Sequence, residues 1–278
     1  MNCNYDAATE TARNYYNSED ADRFYAEIWG GEDIHVGLYQ SPDEAIATAS
    51  RRTVEAMADR LEKVNQTSTV LDIGSGYGGA ARVVAKRFGC RVIGLNLAET
   101  ENARHRELNV AAGMNEQIQV LDGRFESIPL EDQSVDVVWS QDAILHSGDR
   151  KTVLSEVNRV LRSGGQFVFT DPMQSDQCPD GVLQPILERI HLPDLGSPGF
   201  YRQEASNLGW NDLGFQDLSH QLVNHYARVL ETTRQREAEL EEKVSEAYIQ
   251  RMKNGLQHWI DGGNAGHLAW GIFLFEKP

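Results

Sequence analysis

The stretch Thr69-Val70-Leu71-Asp72-Ile73-Gly74-Ser75-Gly76-Tyr77-Gly78-Gly79 leaves the chain few ways to fold. A short β-branched run ends in an acid, three glycines alternate with other residues, and a helical pattern begins at once. Glycines let the backbone turn sharply and let a ligand lie against it, and the helix start offers N–H groups. A strand that hands over this directly to a helix belongs to an α/β architecture, and the loop is suited to a nucleotide-like ligand.

The flanking pattern supports a parallel sheet. Strands are expected at 69–73, 91–95, 118–121, 135–139 and 165–171, with helices at 79–88, 99–112 and 149–162 between them. Two further strands are expected at 213–218 and 268–275. Residues 6–29 read as helical, with Ser18 or Asp20 as a cap. Ser41-Pro42-Asp43-Glu44 reads as a helix start, the helix running to about Val64. Residues 178–210 form a Pro- and Gly-rich insertion around a short helix, and 222–260 is helical with a solvated, charged middle. The expected whole is one domain: a helical cover (1–64), a ligand-binding core (65–175), and a cap with outer helices and last strands (176–278). Ligands in such sheets sit beyond the carboxyl ends of the strands.

Composition narrows the partners. With 42 acids against 26 bases the net charge is −16. That disfavours nucleic acid or an anionic membrane surface, which need the opposite sign. Nothing approaches the roughly 18 apolar residues of a membrane span. Cys3, Cys90 and Cys178 are scattered, so no metal site and no disulfide framework is expected, and a reducing cytoplasm is the default. Whether the chain is a monomer or a homodimer stays open.

The residues after each strand carry the chemistry. Asp72 can orient the loop, and the G-x-G-x-G spacing favours S-adenosylmethionine over a dinucleotide. Asn96 and Leu97 stand where an acid for ribose hydroxyls is usual; asparagine can still donate and accept. Asp122, Gly123, Arg124 and Phe125 follow the third strand, where an adenine would be read and stacked. Ser140, Gln141 and His146 follow the fourth, and Asp171, Pro172 and Met173 the fifth. His191 and His258 are expected to be structural.

The glycine loop, the acidic exit of the third strand and Leu161-Arg162-Ser163-Gly164-Gly165 together resemble the class I S-adenosylmethionine-dependent methyltransferases over about residues 65–175. That resemblance implies a Rossmann-like, mainly parallel seven-stranded sheet with helices on both faces. More narrowly, nearly the whole chain resembles the sarcosine/dimethylglycine N-methyltransferases that make glycine betaine. Phe24-Tyr25-Ala26-Glu27-Ile28-Trp29-Gly30-Gly31-Glu32-Asp33-Ile34-His35, Trp139-Ser140-Gln141-Asp142-Ala143-Ile144-Leu145-His146-Ser147, Phe169-Thr170-Asp171-Pro172-Met173-Gln174, Gly199-Phe200-Tyr201-Arg202-Gln203 and His220-Gln221-Leu222-Val223-Asn224-His225-Tyr226 carry it. Two of these stretches also resemble phosphoethanolamine N-methyltransferases, where a tyrosine and a histidine close over the substrate. Carried over, Tyr25 and His146 would be that pair, with His146 as base or amine-positioning group.

The resemblance implies S-adenosylmethionine as methyl donor and a small amino acid as acceptor, with no metal. Trp29, Tyr25 and Tyr201 could face the developing cation, Arg202 could hold the acceptor carboxylate as a two-pronged fork, and His220, Asn224, His225 and Tyr226 could line the pocket. The region beyond the fifth strand supplies Arg189, Tyr201 and Arg202 but few lysines, which counts against a phosphate pocket. Pro172 and Met173 would shape the amine pocket. The rival readings are another small-amine methyltransferase, acting on glycine or phosphoethanolamine, a non-catalytic S-adenosylmethionine-binding subunit, and, third, an NAD-dependent dehydrogenase.

Overall fold

Seven strands form one sheet in the order β3-β2-β1-β4-β5-β9-β7. The computed structural model describes Arg13 and residues 18–30, 32–190 and 192–278. The strands are β1 (Thr69–Ile73), β2 (Arg91–Asn96), β3 (Ile118–Asp122), β4 (Val135–Gln141), β5 (Leu161–Thr170), β7 (Asn211–Asp217) and β9 (Gly271–Glu276). Only β9 runs against its neighbours, pairing antiparallel with both β5 and β7. A separate ribbon pairs β6 (Met173–Gln174) with β8 (Leu268–Ala269).

The near-continuous apolar strands are explained by burial on both faces. Neighbouring residues of one strand serve opposite cores: Leu71 and Ile93 pack with Val138, Phe167 and Phe169, while Val70 and Val92 pack with Val137, Trp139 and Val168. Each fully buried side chain of this size contributes roughly 1.5–3 kcal/mol.

Helices α3 (Gly79–Phe88), α4 (Glu99–Ala111) and α5 (Arg150–Val160) are the crossovers. α3 stops at Gly89, whose φ of 68° is left-handed and which receives the C-terminal cap role expected of glycine. α5 ends at Val160, and the pairing of Leu161 with Val135 begins β5 earlier than the sequence pattern suggested.

The remaining helices are α1 (Glu19–Trp29), α2 (Ile46–Ala58), α6 (Gln184–Ile190), α7 (Pro198–Asn207), α8 (Ser219–Gln235), α9 (Glu237–Leu240) and α10 (Glu246–Asn264). Of these, α2 and α7 pack on opposite faces of the sheet, and the others build a cover at the carboxyl ends of the strands. Ser18 caps α1, accepting from the Ala21 N–H at 3.3 Å. Phe24, Ile28 and Trp29 of α1 pack on Val229, Leu230 and Tyr248 of α8 and α10. The part of the expected first helix before residue 18, Arg13 apart, and Cys3, Gly31 and His191, lie outside the described residues. Among the described residues no helix is long and apolar enough to cross a membrane.

Three expectations need correction. Ser41-Pro42-Asp43-Glu44 does not open a helix; α2 starts at Ile46, because Glu44 is drawn into an ion pair with Arg52 (2.5 Å) and accepts from the Gln40 N–H. The charged middle of 222–260 is not one solvated helix face. It breaks after Leu240, and Arg236 and Lys243 reach across to Glu27 of α1 at 2.9 and 2.7 Å. The last strand is interrupted at Trp270, whose indole N–H donates to Asp142 at 2.7 Å.

Candidate active site

Two cavities lie beyond the strand ends. The first, about 920 Å³ and open to solvent, runs over the glycine loop. Gly78 precedes α3 with φ 77°, and a Cβ there would sit 2.0 Å from Nε2 of the buried His105. Only glycine lets the loop close over that ring. At one end of the cavity four buried polar atoms have no hydrogen-bond partner among the described residues: Asp72 Oδ2, Gln141 Nε2, and Asp33 Oδ1 and His35 Nε2, which face each other at 3.9 Å while the other Asp33 oxygen pairs with Arg51 at 2.8 Å. Carboxylate acceptors beside a nitrogen donor suit the zwitterion of an amino-acid moiety. At the other end, Asn96 donates to the buried Glu101 at 2.8 Å, presenting a carboxylate and an amide that can take a pair of hydroxyls. Leu97, Ala98, Arg124 and Phe125 complete that wall.

The second cavity, about 930 Å³, is walled by Tyr25, Trp29, Tyr226 and Trp259, with Pro172, Leu145, Met252 and Leu256. Its cationic side chain among the described lining residues is Arg189, from α6. A Cβ on Gly255 of α10 would lie 2.3 Å from Arg189 Nε, so this glycine is the space through which the arginine passes.

Ile34, His35, Asp142 and His146 line both cavities, so a group held in one meets a group held in the other there. Asp142 is fixed by the Val36 N–H and the Trp270 indole, each at 2.7 Å, and has φ 50°, a conformation that Asp tolerates better than most residues. Burial, with Arg150 and Arg189 nearby, lowers the His146 pKa to about 4, so its imidazole is neutral at pH 7. His35 is raised instead: its neighbours Asp33 and Asp142 outweigh its desolvation.

A methyltransferase domain model matches residues 71–169. A sarcosine/dimethylglycine N-methyltransferase of Halorhodospira halochloris is 57% identical over 98% of both chains. The chain belongs to the sarcosine/dimethylglycine N-methyltransferase family. The enzyme of that name from Aphanothece halophytica is 52% identical, over 98% of this chain and 99% of its own. A solved structure assigned as a sarcosine dimethylglycine methyltransferase from Galdieria sulphuraria superposes with a TM-score of 0.90 at 45% identity, covering 95% of this chain and 98% of that one. The fold is that of the class I methyltransferases, and the methyl donor is S-adenosylmethionine.

Against the cavities of this N-methyltransferase, the residues singled out from sequence divide. Asp72, Gly74, Ser75, Gly76, Asn96, Leu97, Arg124, Phe125 and Gln141 line the first cavity, Tyr25, Trp29, Pro172 and Tyr226 the second, and His146 both. Gly78 sits behind, as the helix cap. The others are engaged elsewhere. Asp122 pairs with Arg106 at 2.7 Å and accepts from Asn102, and Gly123 backs onto Leu95. Ser140 donates to the Ile73 carbonyl between β1 and β4. Asp171 accepts from the Leu145 N–H and the Tyr201 hydroxyl, which makes both of them framework; Met173 is core. Arg202 is about half exposed on α7 and pairs with Asp212 at 3.0 Å. Asn224 turns to Gln221.

Glu101 and Trp259, which also line these cavities, are not singled out by the sequence; Asp33, His35 and Asp142 stand in the motifs that carry the resemblance without a role of their own, and Arg189 counts there only as a basic residue beyond the fifth strand. Glu101 supplies the acid expected at the end of β2 from one turn into α4, five residues beyond Asn96.

Burial pushes the Asp72 carboxyl up to about 7, opposed by His35 and helped by Asp33, and burial raises Glu101 to about 7 against the hydrogen bond it accepts from Asn96. A cationic ammonium favours the ionised form of Asp72, so binding below that pH releases a proton. S-adenosylhomocysteine, which carries the same ammonium, therefore binds more tightly as pH rises towards 7 and levels off above it. The slope approaches about tenfold per pH unit for each carboxyl that ionises. Calorimetric titration across this range should show Asp72→Asn losing one proton of linkage and Glu101→Gln the other. A pH-independent wild-type Kd would refute the linkage.

Proposed function

We propose that the enzyme methylates the amine of sarcosine and of dimethylglycine, giving glycine betaine. The observation that carries this is the junction at His35, Asp142 and His146 between a cavity suited to an amino-acid–nucleoside ligand and an aromatic cavity holding one arginine. Among the described lining residues the acceptor cavity has no lysine beside Arg189, which suits a single carboxylate better than a phosphate dianion.

The residues have separable tasks. S-adenosylmethionine, when bound, supplies an electrophilic methyl group on its sulfonium. Asp72 and Asp33 would hold its ammonium, His35 its carboxylate, and Glu101 with Asn96 its ribose hydroxyls. Arg189 receives the acceptor's carboxylate and leaves the amine pointing towards the junction. An alkyl amine with a pKa near lysine's, about 10.4, arrives protonated. The apolar walls disfavour that charge. The neutral His146 accepts the hydrogen bond of the arriving ammonium and aims its nitrogen, and because an imidazole whose pKa is held at about 4 keeps no proton against such an amine, the proton passes to water. Tyr25, Trp29, Tyr226 and Trp259 then face the nitrogen as it regains positive charge. Most of the acceleration comes from holding the reacting groups in line. The trimethylated product has no lone pair left, so the series stops chemically.

In this reading residues 65–175 hold most of the donor, and the flanking segments hold the acceptor. Cys90 and Cys178 are free thiols, in keeping with a reducing cytoplasm. The test is to incubate the protein with S-adenosylmethionine and glycine, sarcosine, dimethylglycine or phosphoethanolamine in turn. Betaine is expected from sarcosine and dimethylglycine. Turnover of phosphoethanolamine alone would overturn the assignment.

A further inference from the structure

His225 of α8 is 1% exposed and forms part of the acceptor-cavity wall, with ring centres 5.4 Å from Trp29 and 5.5 Å from Tyr226. Its Nδ1 receives the Gly37 N–H at 3.2 Å and lies 3.0 Å from the Tyr39 hydroxyl. A backbone N–H can only donate, so Nδ1 must present its lone pair. The Tyr39 segment is also bolted to α8: its N–H donates to Gln221 Oε1 at 2.9 Å, and Gln221 Nε2 donates back to its carbonyl at 3.1 Å. The clamp keeps the Gly37–Tyr39 segment in place, so turning the ring over would put a ring carbon against the Gly37 N–H and the Tyr39 hydroxyl.

Burial, with His35 nearby, holds the His225 pKa down to about 3, so the ring is neutral and carries one proton. With Nδ1 committed as acceptor, that proton is on Nε2. Nε2 is buried and has no hydrogen-bond partner among the described residues. Nδ1 is taken up by Gly37 and Tyr39, so of the ring nitrogens of this cavity-lining residue Nε2 is the one left to meet a ligand. Interiors rarely leave such a donor unmet. The Trp29 indole cannot meet it, because its own N–H already donates to the His35 carbonyl at 3.3 Å.

We propose that His225 Nε2–H donates to the carboxylate of the amino-acid acceptor, beside Arg189, so that the acceptor is read by one cation and one neutral donor of fixed direction. Gly37 and Tyr39 are then positioning residues that set the tautomer. This rests on the acceptor assignment above. It gives the site a reason to prefer an α-amino acid over an amine of similar size with no carboxylate.

The test uses the whole protein saturated with S-adenosylhomocysteine. In wild-type protein labelled with ¹⁵N-histidine, His225 should show a protonated Nε2 and a bare Nδ1, and adding dimethylglycine should move the Nε2–H signal. By calorimetry, His225→Phe should raise the dimethylglycine Kd by on the order of 10- to 100-fold while leaving that of S-adenosylhomocysteine unchanged. His225→Gln, whose amide can reach the Nε2 position, should recover part of the loss. A protonated Nδ1, an Nε2–H signal indifferent to dimethylglycine, or an unchanged Kd in the Phe variant would each overturn the assignment. If wild-type protein methylates dimethylglycine normally, such a result removes His225 alone. If it neither binds nor methylates dimethylglycine, the acceptor assignment falls with it.

Discussion

Replacing Arg189 with methionine is expected to raise the KM for dimethylglycine by on the order of 10²–10³-fold, with S-adenosylmethionine binding changed less than about twofold. The size follows from the setting. A guanidinium meeting a carboxylate between Trp259, Tyr226 and Leu256 is shielded from water, where losing one member of a charge pair strands the other. Methionine preserves the apolar stem and removes the charge together with the guanidinium's hydrogen bond to Met252 Sδ (2.8 Å). Lysine should recover part of the loss, as a point charge without the fork. The same change at Arg202 should leave both constants within about twofold, because that side chain is half in solvent and meets Asp212. Steady-state kinetics on the two methionine variants decides between the arginines. Equal effects, or a larger one at Arg202, would refute the placement.

That contrast shows where the sequence was legible. The glycine loop, the strand order of exits and the two-faced burial followed from local pattern, because a βαβ unit is specified by residues close together in the chain. Arg202 drew attention by its aromatic neighbours Phe200 and Tyr201. Both are inward residues of α7 that pack on the sheet: Tyr201 is fully buried against Phe169 and hydrogen-bonded to Asp171. The arginine beside it takes the opposite face. Arg189 enters the cavity only because α6 packs on α10 at Gly255, a pairing across 66 residues that no periodicity reveals. Asp142 is similar. It was visible inside Ser140-Gln141-Asp142, yet its fixation by Trp270 joins the exit of β4 to the break before the last strand. Local chemistry could be read from the chain; convergence on the acceptor could not.

His146→Ala should lower kcat by roughly 10²–10⁴-fold, the span usual for loss of a positioned proton acceptor, with little change in donor affinity. The pH profile separates this from a packing defect. A histidine at its ordinary pKa would gain charge as pH falls through about 6.5 and switch off. Here the pKa is lowered to about 4 by burial and by Arg150 and Arg189, so the imidazole is neutral, and able to accept, throughout the range above about pH 5. The rise of kcat/KM with pH over neutral to alkaline conditions should then follow the deprotonation of the acceptor amine, with no added limb near 6.5. The variant should be slower at every pH while keeping the same slope, since the titrating group belongs to the substrate. His146→Gln, which retains a hydrogen-bond acceptor but takes no proton, isolates positioning from proton transfer. If its kcat stays near wild type, His146 aligns the amine, and the proton leaves by another route. If it falls with the alanine variant, the imidazole is needed as the relay that passes the amine's proton on to water, since a ring whose pKa is held at about 4 does not keep it. Full turnover in His146→Ala would remove the residue from the chemistry.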